Sequence, residues 1–233
     1  MKIYEIVKET NHLGSHDEIY QNLKKGFGIS FTNFYSYLKT DNQEFKYLNS
    51  VYLDGMAASK CFNLLGYKSK RISMDFTSLA DKIFSNSVRD NLSIAIIASK
   101  QHELESSIIF LRQKYAGIKL DFYHHGYINS QEALESVANK LILKNITFTI
   151  IGMGSPNQEA FIDNIRLKGY TGGCITCGGF IEQISQTGTF YPSLIDRLNL
   201  RFAYRIYKKP SLAVRYFLYY PIGLFKFYRD LRR

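Results

Sequence analysis

Residues 147–159 read Thr-Phe-Thr-Ile-Ile-Gly-Met-Gly-Ser-Pro-Asn-Gln-Glu, and the reading of this stretch decides the fold. Thr147–Ile151 has the β-branched and aromatic composition of a strand. Gly152 and Gly154 allow a tight turn. Ser155 then suits an N-cap, Pro156 the first helical position and Gln158 the third. The spacing predicts a helix to about Lys168, closed by Gly169. Two readings of the turn stay open. It is either a well-capped helix start and nothing more, or a place where bare backbone approaches a diphosphate at the positive end of a helix. A dinucleotide fingerprint fits less well, because Asn157 stands where the third glycine of G-x-G-x-x-G belongs and the motif lies late in the chain.

Outward from this unit the pattern repeats. Strand-like runs are Lys2–Val7, Phe27–Thr32, Ser50–Leu53, Leu92–Ala98, Ile118–Tyr123, Thr147–Ile151 and Cys174–Cys177. Helical spacing fills the intervals. Ser15 and Glu18 form a capping-box pattern for a helix that stops at Gly26. Ala133, Leu134, Val137 and Leu141 outline the buried stripe of another. Strand–helix alternation of this kind predicts an α/β fold, a mostly parallel sheet with helices on both faces. The composition changes near Pro192, where strands cease. Residues 1–190 are expected to form the core, and 191–233 a helical appendage of two stretches, about 193–208 and 211–229, the second broken at Pro221.

The charge is concentrated in that appendage. Of a net +10 over 233 residues, residues 196–233 hold ten Lys/Arg against two acids, and the rest of the chain is nearly neutral. Ten Tyr and Phe side chains interleave with those cations. This suits a helix lying in an anionic membrane interface, with rings at headgroup depth. Nucleic acid is the rival anion, but no recognisable nucleic-acid module accompanies the tail, and none is expected as a partner. The N-terminus MKIYEIVKET carries Glu5 and Glu9 and lacks an apolar h-region, so no signal peptide is expected. No uncharged apolar run approaches the roughly 18 residues of a spanning helix. Three cysteines give no disulfide framework, and a cytoplasmic, peripheral location follows as the expectation. Assembly into a homo-oligomer is left open by the sequence.

Several residues carry candidate chemistry. Asp54 follows an apolar strand, at the end where α/β sheets bind ligands. It suits a general base, or alternatively a cap for a helix starting near Met56. Asp75 suits either a ligand contact or a cap near Phe76. Tyr127 suits a nucleotide contact or simple packing. No Asp-x-Asp occurs, so no metal or other cofactor is expected, and Arg205 and Arg215 are the expected counter-charges for a leaving diphosphate. Cys174-Ile175-Thr176-Cys177 lacks further ligands at zinc-like spacing, and reads as two small residues packed in a core.

Taken in order, these segments resemble the WecG/TagA/CpsF glycosyltransferases (glycosyltransferase family 26). Gly-Met-Gly-Ser-Pro-Asn-Gln-Glu resembles the family's G-x-G-S-P-x-Q-E signature, and Leu53-Asp54-Gly55-Met56 its D-G element. Ser73-Met74-Asp75-Phe76 resembles its G-x-D-L element, His125-Gly126-Tyr127 its G-Y turn, and Cys177-Gly178-Gly179-Phe180 its G-G-x-F strand end. Tyr204-Arg205 and Arg215-Tyr216 resemble its basic, aromatic C-terminal pattern. The resemblance implies a Rossmann-like core with a C-terminal appendage at the membrane. It further implies inverting transfer of a hexose-type sugar, such as N-acetylmannosamine or its uronic acid, from a UDP-sugar to a polyprenyl-diphosphate-linked glycan.

By the same resemblance, Asp54 corresponds to the base. Gln158 corresponds to a donor-site residue and Asn33 to the asparagine of a T-x-N element, and together with Thr32, Asp75, Tyr127, Gly152, Gly154, Ser155 and Glu159 they make the expected donor site. The chain departs from the pattern at Phe31, where threonine is usual, at Glu182, where aspartate is usual, and at Phe190-Tyr191-Pro192 and Asn199–Ile206. These differences bear on sugar and acceptor contacts rather than on the reaction class. A nicotinamide-dependent oxidoreductase and a noncatalytic basic adaptor are the alternatives.

Overall fold

The computed structural model describes residues 1–40, 42–187, 204, 206–207, 210 and 212–232. Six strands form one all-parallel sheet: β1 (Gly28–Thr32), β2 (Ser50–Leu53), β3 (Ser93–Ala98), β4 (Lys119–His124), β5 (Phe148–Gly152) and β6 (Gly173–Thr176), in the order β2-β1-β6-β5-β3-β4. β1, β5 and β6 are buried throughout and β3 at all but its first residue, as continuous apolar runs require when helices cover both faces. Strand alternation divides the core in two. Ile94, Ile96 and Ala98 face the layer of α2 (His16–Lys24), α5 (Ala80–Arg89), α6 (Gln101–Lys114) and α9 (Phe180–Thr187). Ala95 and Ile97 face α1 (Ile3–Glu9), α3 (Phe34–Thr40), α4 (Met56–Leu64), α7 (Gln131–Leu143) and α8 (Asn157–Leu167). This is the α/β arrangement that the alternation predicted, with the Rossmann-like core that the resemblance implied.

Three local expectations are corrected. Lys2–Val7 is not a strand: Ile3–Val7 is helical and Lys2 is its extended N-cap. Ile3, Ile6 and Val7 fall at i, i+3 and i+4 and are all buried, and Glu5 Oε2 accepts the Lys2 N–H at 2.8 Å. Ser155 is not the cap of α8, which starts at Asn157 after Pro156. The Ser155 hydroxyl donates instead to Glu159 Oε1 at 3.0 Å. Pro221 does not break the last helix. A turn at Leu212–Val214 runs into a π-helical turn, Arg215–Tyr219, and then α10 (Tyr220–Leu231), with the proline in the first turn of α10. The wider π turn before it relieves the ring's clash with the preceding carbonyls. The first appendage stretch, about 193–208, lies almost entirely outside the described residues, as does Arg205.

α10 packs on α3, α1 and α4. Phe227 inserts edge-on between Phe34 and Tyr37, with centroids 5.8 and 5.0 Å away. The Tyr37 hydroxyl donates to buried Asp230 Oδ2 at 2.8 Å. Gly223 makes the approach possible, since a Cβ there would lie 2.1 Å from the Phe34 carbonyl oxygen. Gly223→Ala should therefore push α10 off α3. The expected cost is about 1–3 kcal/mol, a fall in Tm of roughly 3–10 °C by differential scanning fluorimetry. An unchanged Tm would contradict this packing.

Candidate active site

All strands point the same way, so their carboxyl ends make one edge, and the loops there carry nearly every residue singled out from the sequence. The chain leaves β3 outward to β4 but leaves β5 inward to β6, and a crevice opens where neighbouring strands diverge in this way. A cavity of about 690 Å³ occupies that position. Its floor is Gly152, Met153 and Gly154 after β5. Its walls include Ser99 and Lys100 after β3, Gly126 and Tyr127 after β4, Asn157, Phe161 and Asn164 of α8, and Gly178, Gly179 and Glu182 after β6. Tyr127 is 58% exposed, so its ring is available at the rim.

Backbone hydrogen bonds lace these loops together. Ser99 N–H donates to Gly152 O (3.2 Å), Gly126 N–H to Ser99 O (2.9 Å) and Cys177 N–H to Ile151 O (2.7 Å). A Cβ on Gly152 would lie 2.8 Å from both Cys177 Sγ and Gly178 O, and 2.9 Å from Ala98 Cβ. Gly154 adopts φ 73° with open space around it. The two glycines thus serve different ends, close packing at 152 and a left-handed turn at 154. The N-termini of α6, α8 and α9 meet at this rim and bring their positive dipole ends to it.

Asp54 lies on the same edge. Its N–H donates to Thr32 O at 2.8 Å. Three strand spacings separate β2 from β5 in the sheet order, about 14 Å along the edge. Asp54 does not cap α4, whose N-cap is Gly55 with no side-chain hydrogen bond. Instead its Oδ1 sits 3.5 Å from Arg71 Nη2, which also meets Asp75 Oδ2 at 2.5 Å. Asp75 further accepts from the Thr77 N–H (2.9 Å), the Thr77 hydroxyl (2.6 Å) and the Ser73 hydroxyl (2.8 Å). Burial opposes ionisation of Asp75, but Arg71 and these donors outweigh it and hold the carboxyl below its ordinary range. Arg71 escaped the sequence reading. Its one signal was the four-residue spacing to Asp75, which carries weight on a helix and little in the irregular loop where it lies.

Between Asp54 and the glycine turn lies a buried polar group. Gln158 and Glu159 are 3% and 1% exposed. Glu159 Oε1 accepts from the Ser30 hydroxyl of β1 (2.8 Å), the Ser155 hydroxyl (3.0 Å) and Gln158 Nε2 (2.9 Å), and Ser30 also meets the Thr176 hydroxyl of β6 at 3.0 Å. Asn33 Oδ1 accepts the Tyr35 and Ser36 N–H groups at 3.1 Å and caps α3, while the Thr32 hydroxyl lies 3.2 Å from that of Ser36. Arg215 stacks on Tyr35 with its guanidinium carbon 4.1 Å from the ring centroid. Its Nε is buried with no hydrogen-bond partner. The stacking brings this cation beside the Asn33 cap. Cys174 and Cys177 are buried in opposite core layers, and burial pushes both thiols up to about 12. No three His, Cys, Asp or Glu side chains converge as metal ligands among the described residues.

Comparison with known proteins fits this geometry. The sequence pattern described as "Glycosyl transferase WecG/TagA/CpsF family" matches residues 7–233. The chain belongs to this family. It is 34% identical over 201 residues, 85% of this chain and 84% of the relative, to a UDP-Gal:alpha-D-GlcNAc-diphosphoundecaprenol beta-1,4-galactosyltransferase of Shigella boydii. It is 26% identical over 161 residues to an N-acetylglucosaminyldiphosphoundecaprenol N-acetyl-beta-D-mannosaminyltransferase of Bacillus spizizenii, covering 68% of this chain and 60% of that one. A Bacillus subtilis enzyme of the same description is 27% identical over 117 residues, 50% of this chain and 44% of its own. The chain is thus a glycosyltransferase, as the resemblance implied, and neither the oxidoreductase nor the adaptor reading gains support.

Arg71 gives this family member a testable electrostatic centre. Because the folded-state pKa of Asp75 is depressed, its contribution to stability is full above the unfolded carboxyl value of about 4 and is lost as pH falls through the folded one. Arg71→Met should lower Tm at pH 7, and the deficit should shrink below about pH 4. A deficit independent of pH would show that Arg71 acts by packing alone.

Proposed function

We propose that this protein is an inverting glycosyltransferase that moves a hexose from a UDP-sugar to a polyprenyl-diphosphate-linked N-acetylglucosamine at the cytoplasmic face of a membrane. One observation carries the reading: a glycine-floored cavity at the strand divergence and a carboxylate, Asp54, share a single sheet edge. The nucleotide occupies the cavity, with Tyr127 at its rim. The diphosphate lies over Gly152–Ser155, where converging helix N-termini and Lys100 oppose its charge. The sugar then extends across β6 and β1 toward Asp54. There the acceptor hydroxyl loses its proton to the carboxylate and displaces UDP in line, which inverts the anomeric centre. Arg215 supplies positive charge for a diphosphate at that end, and Arg205, outside the described residues, is a second candidate counter-charge.

Galactose is the first donor to test, because the relative matched over 85% of this chain is described as a galactosyltransferase. N-Acetylmannosamine, the sugar in the descriptions of the Bacillus relatives, is the second. Asp54→Asn should abolish transfer to a short lipid-diphosphate acceptor, followed by mass spectrometry, while UDP still raises Tm. Undiminished turnover would remove Asp54 from the mechanism. In the same thermal assay UDP should stabilise the protein and NADH should not.

The membrane reading rests on the C-terminal helical segment. Phe217 and Phe225 are 74% and 69% exposed, and Leu218, Ile222 and Leu224 are also exposed alongside Lys226, Arg229 and Arg232. An apolar patch beside cations suits the headgroup zone of an anionic bilayer. Among the described residues no helix is long and apolar enough to cross a membrane. Replacing Phe217 and Phe225 together with Asp should abolish co-flotation with phosphatidylglycerol vesicles at physiological salt. Retained flotation would refute this placement.

A further inference from the structure

The Glu159 carboxyl is the most deeply buried acid of the chain's carboxyl edge, and the transfer mechanism above makes no use of it. It is 1% exposed. Its hydrogen-bond partners are neutral: Ser30, Ser155 and Gln158 all donate to Oε1, and Oε2 has no partner. No described cation lies within ion-pair distance of it. The donors on Oε1 favour the charged form, but burial without a counter-charge outweighs them and raises the carboxyl. The geometry also gives this acid one function. It ties the glycine turn, through Ser155 and Gln158, to β1, through Ser30, and so joins two strands whose carboxyl ends flank β6.

We propose that Glu159 is a positioning residue held as the uncharged acid. Its single acceptor oxygen clamps Ser155 and Gln158 in place and fixes the turn on which the donor diphosphate rests. The clamp also orients the Gln158 amide. Nε2 points to Glu159 Oε1 (2.9 Å) and Ser155 Oγ (3.3 Å), which leaves the buried Oε1 of Gln158 as the unpaired atom, an acceptor suited to a hydroxyl rather than to a phosphate oxygen.

Among the described residues, the charged groups around Glu159 are engaged with other partners. From β1 and β6 the facing groups are Ser30 and Thr176. The nearby thiols of Cys174 and Cys177 are pushed up to about 12 by burial, and so stay neutral. On α8, Asp163 is engaged with the Lys46 and Tyr47 N–H groups, and Arg166 with the carbonyls of Tyr170 and Gly26. α7 contributes Glu135, paired to Lys168 past the far end of α8. Burial raises the Glu159 carboxyl above its ordinary value. A raised acid gives stability that is full below the unfolded value of about 4.3 and is lost progressively as pH climbs toward the folded one.

The test has two arms. Tm is measured from pH 5 to 9 for the wild type and for Glu159→Gln, whose amide oxygen can accept the same three hydrogen bonds but cannot ionise. The wild type should lose stability relative to the variant as pH rises. A gap that stays constant over this range would overturn the uncharged assignment. UDP binding is then measured by isothermal titration calorimetry at pH 6.5. Glu159→Ala should weaken it by roughly tenfold or more, Ser30→Ala by less, and Glu159→Gln should restore it to within about threefold of wild type. Binding by Glu159→Gln as weak as by Glu159→Ala would mean that the carboxylate itself meets the ligand, and wild-type affinity in Glu159→Ala and Ser30→Ala would mean that the clamp positions nothing. Either result overturns the proposal. The second arm rests on the donor reading given above and the first does not. Failure of the wild type to bind UDP would therefore defeat that reading, while the pH comparison would still decide the charge of Glu159.

Discussion

The constraint on which the site depends is the absence of a side chain at Gly152. Cys177 Sγ, the Gly178 carbonyl and Ala98 Cβ crowd the space that a Cβ would fill, so the ends of β3, β5 and β6 converge on bare backbone. That convergence fixes the loops around it, and the hydrogen bonds from Ser99, Gly126 and Cys177 follow from it. It also decides the chemistry. A floor made of peptide groups and helix N-termini presents oriented N–H dipoles already fixed by the fold, and these oppose negative charge without reorganising. Gly154 adds only the left-handed turn that carries the chain from strand to helix.

Around this floor the protein holds its acids in two contrasting ways. At one end Arg71 bridges Asp54 and Asp75, and a ring of hydroxyl and N–H donors completes the shell of Asp75. Both carboxylates keep access to solvent, and at Asp75 Arg71 and the neighbouring donors hold the carboxyl below its ordinary range. In the middle Glu159 is sealed between α8, β1 and β6 with only neutral donors, and the neutral form is favoured. A carboxylate open to solvent can exchange a proton with a substrate, whereas the sealed acid proposed above can only hold neighbours in place. The environment assigns these roles, since the side chains differ by one methylene.

The sequence made the sheet legible because its inner strands are buried on both faces, which leaves runs such as Ser93–Ala98 and Phe148–Gly152 with little polar interruption. It also brought Asp54, Tyr127 and the glycine turn to the same edge, since each follows a strand, whereas Asp75 lies in the loop after α4 and meets Asp54 through Arg71. What it hid were features decided by partners distant in the chain. Lys2–Val7 has strand composition, but Ile3–Val7 is helical because Ile3, Ile6 and Val7 find a common apolar layer. Ser155 looked like a cap because Glu159, four residues on, does not announce that it is buried. Pro221 looked like a break because nothing in the sequence signals a π turn before it. Arg71 joins two acids 17 and four residues away, and only the path of the loop brings them together.

The last helix carries two unlike faces. Phe227, Leu231, Gly223 and Asp230 form a buried face that sinks against α3, and Asp230 tolerates that burial because Tyr37 donates to it and Lys226 and Arg229 lie close by. Phe217, Ile222 and Phe225 point away from that contact and remain exposed, an arrangement that water alone does not favour. The π turn at Arg215–Tyr219 sits between these demands. It shifts the helical phase just before α10, and within it Arg215 stacks on Tyr35 at the carboxyl end of β1 while Phe217 faces outward. A uniform α-helix would keep one phase through both segments. The π turn lets the docked face of α10, the outward aromatic and the inward cation each take their own direction. That combination is what the proposed membrane placement would use, with the outward rings toward lipid and the inward cation toward the sheet edge.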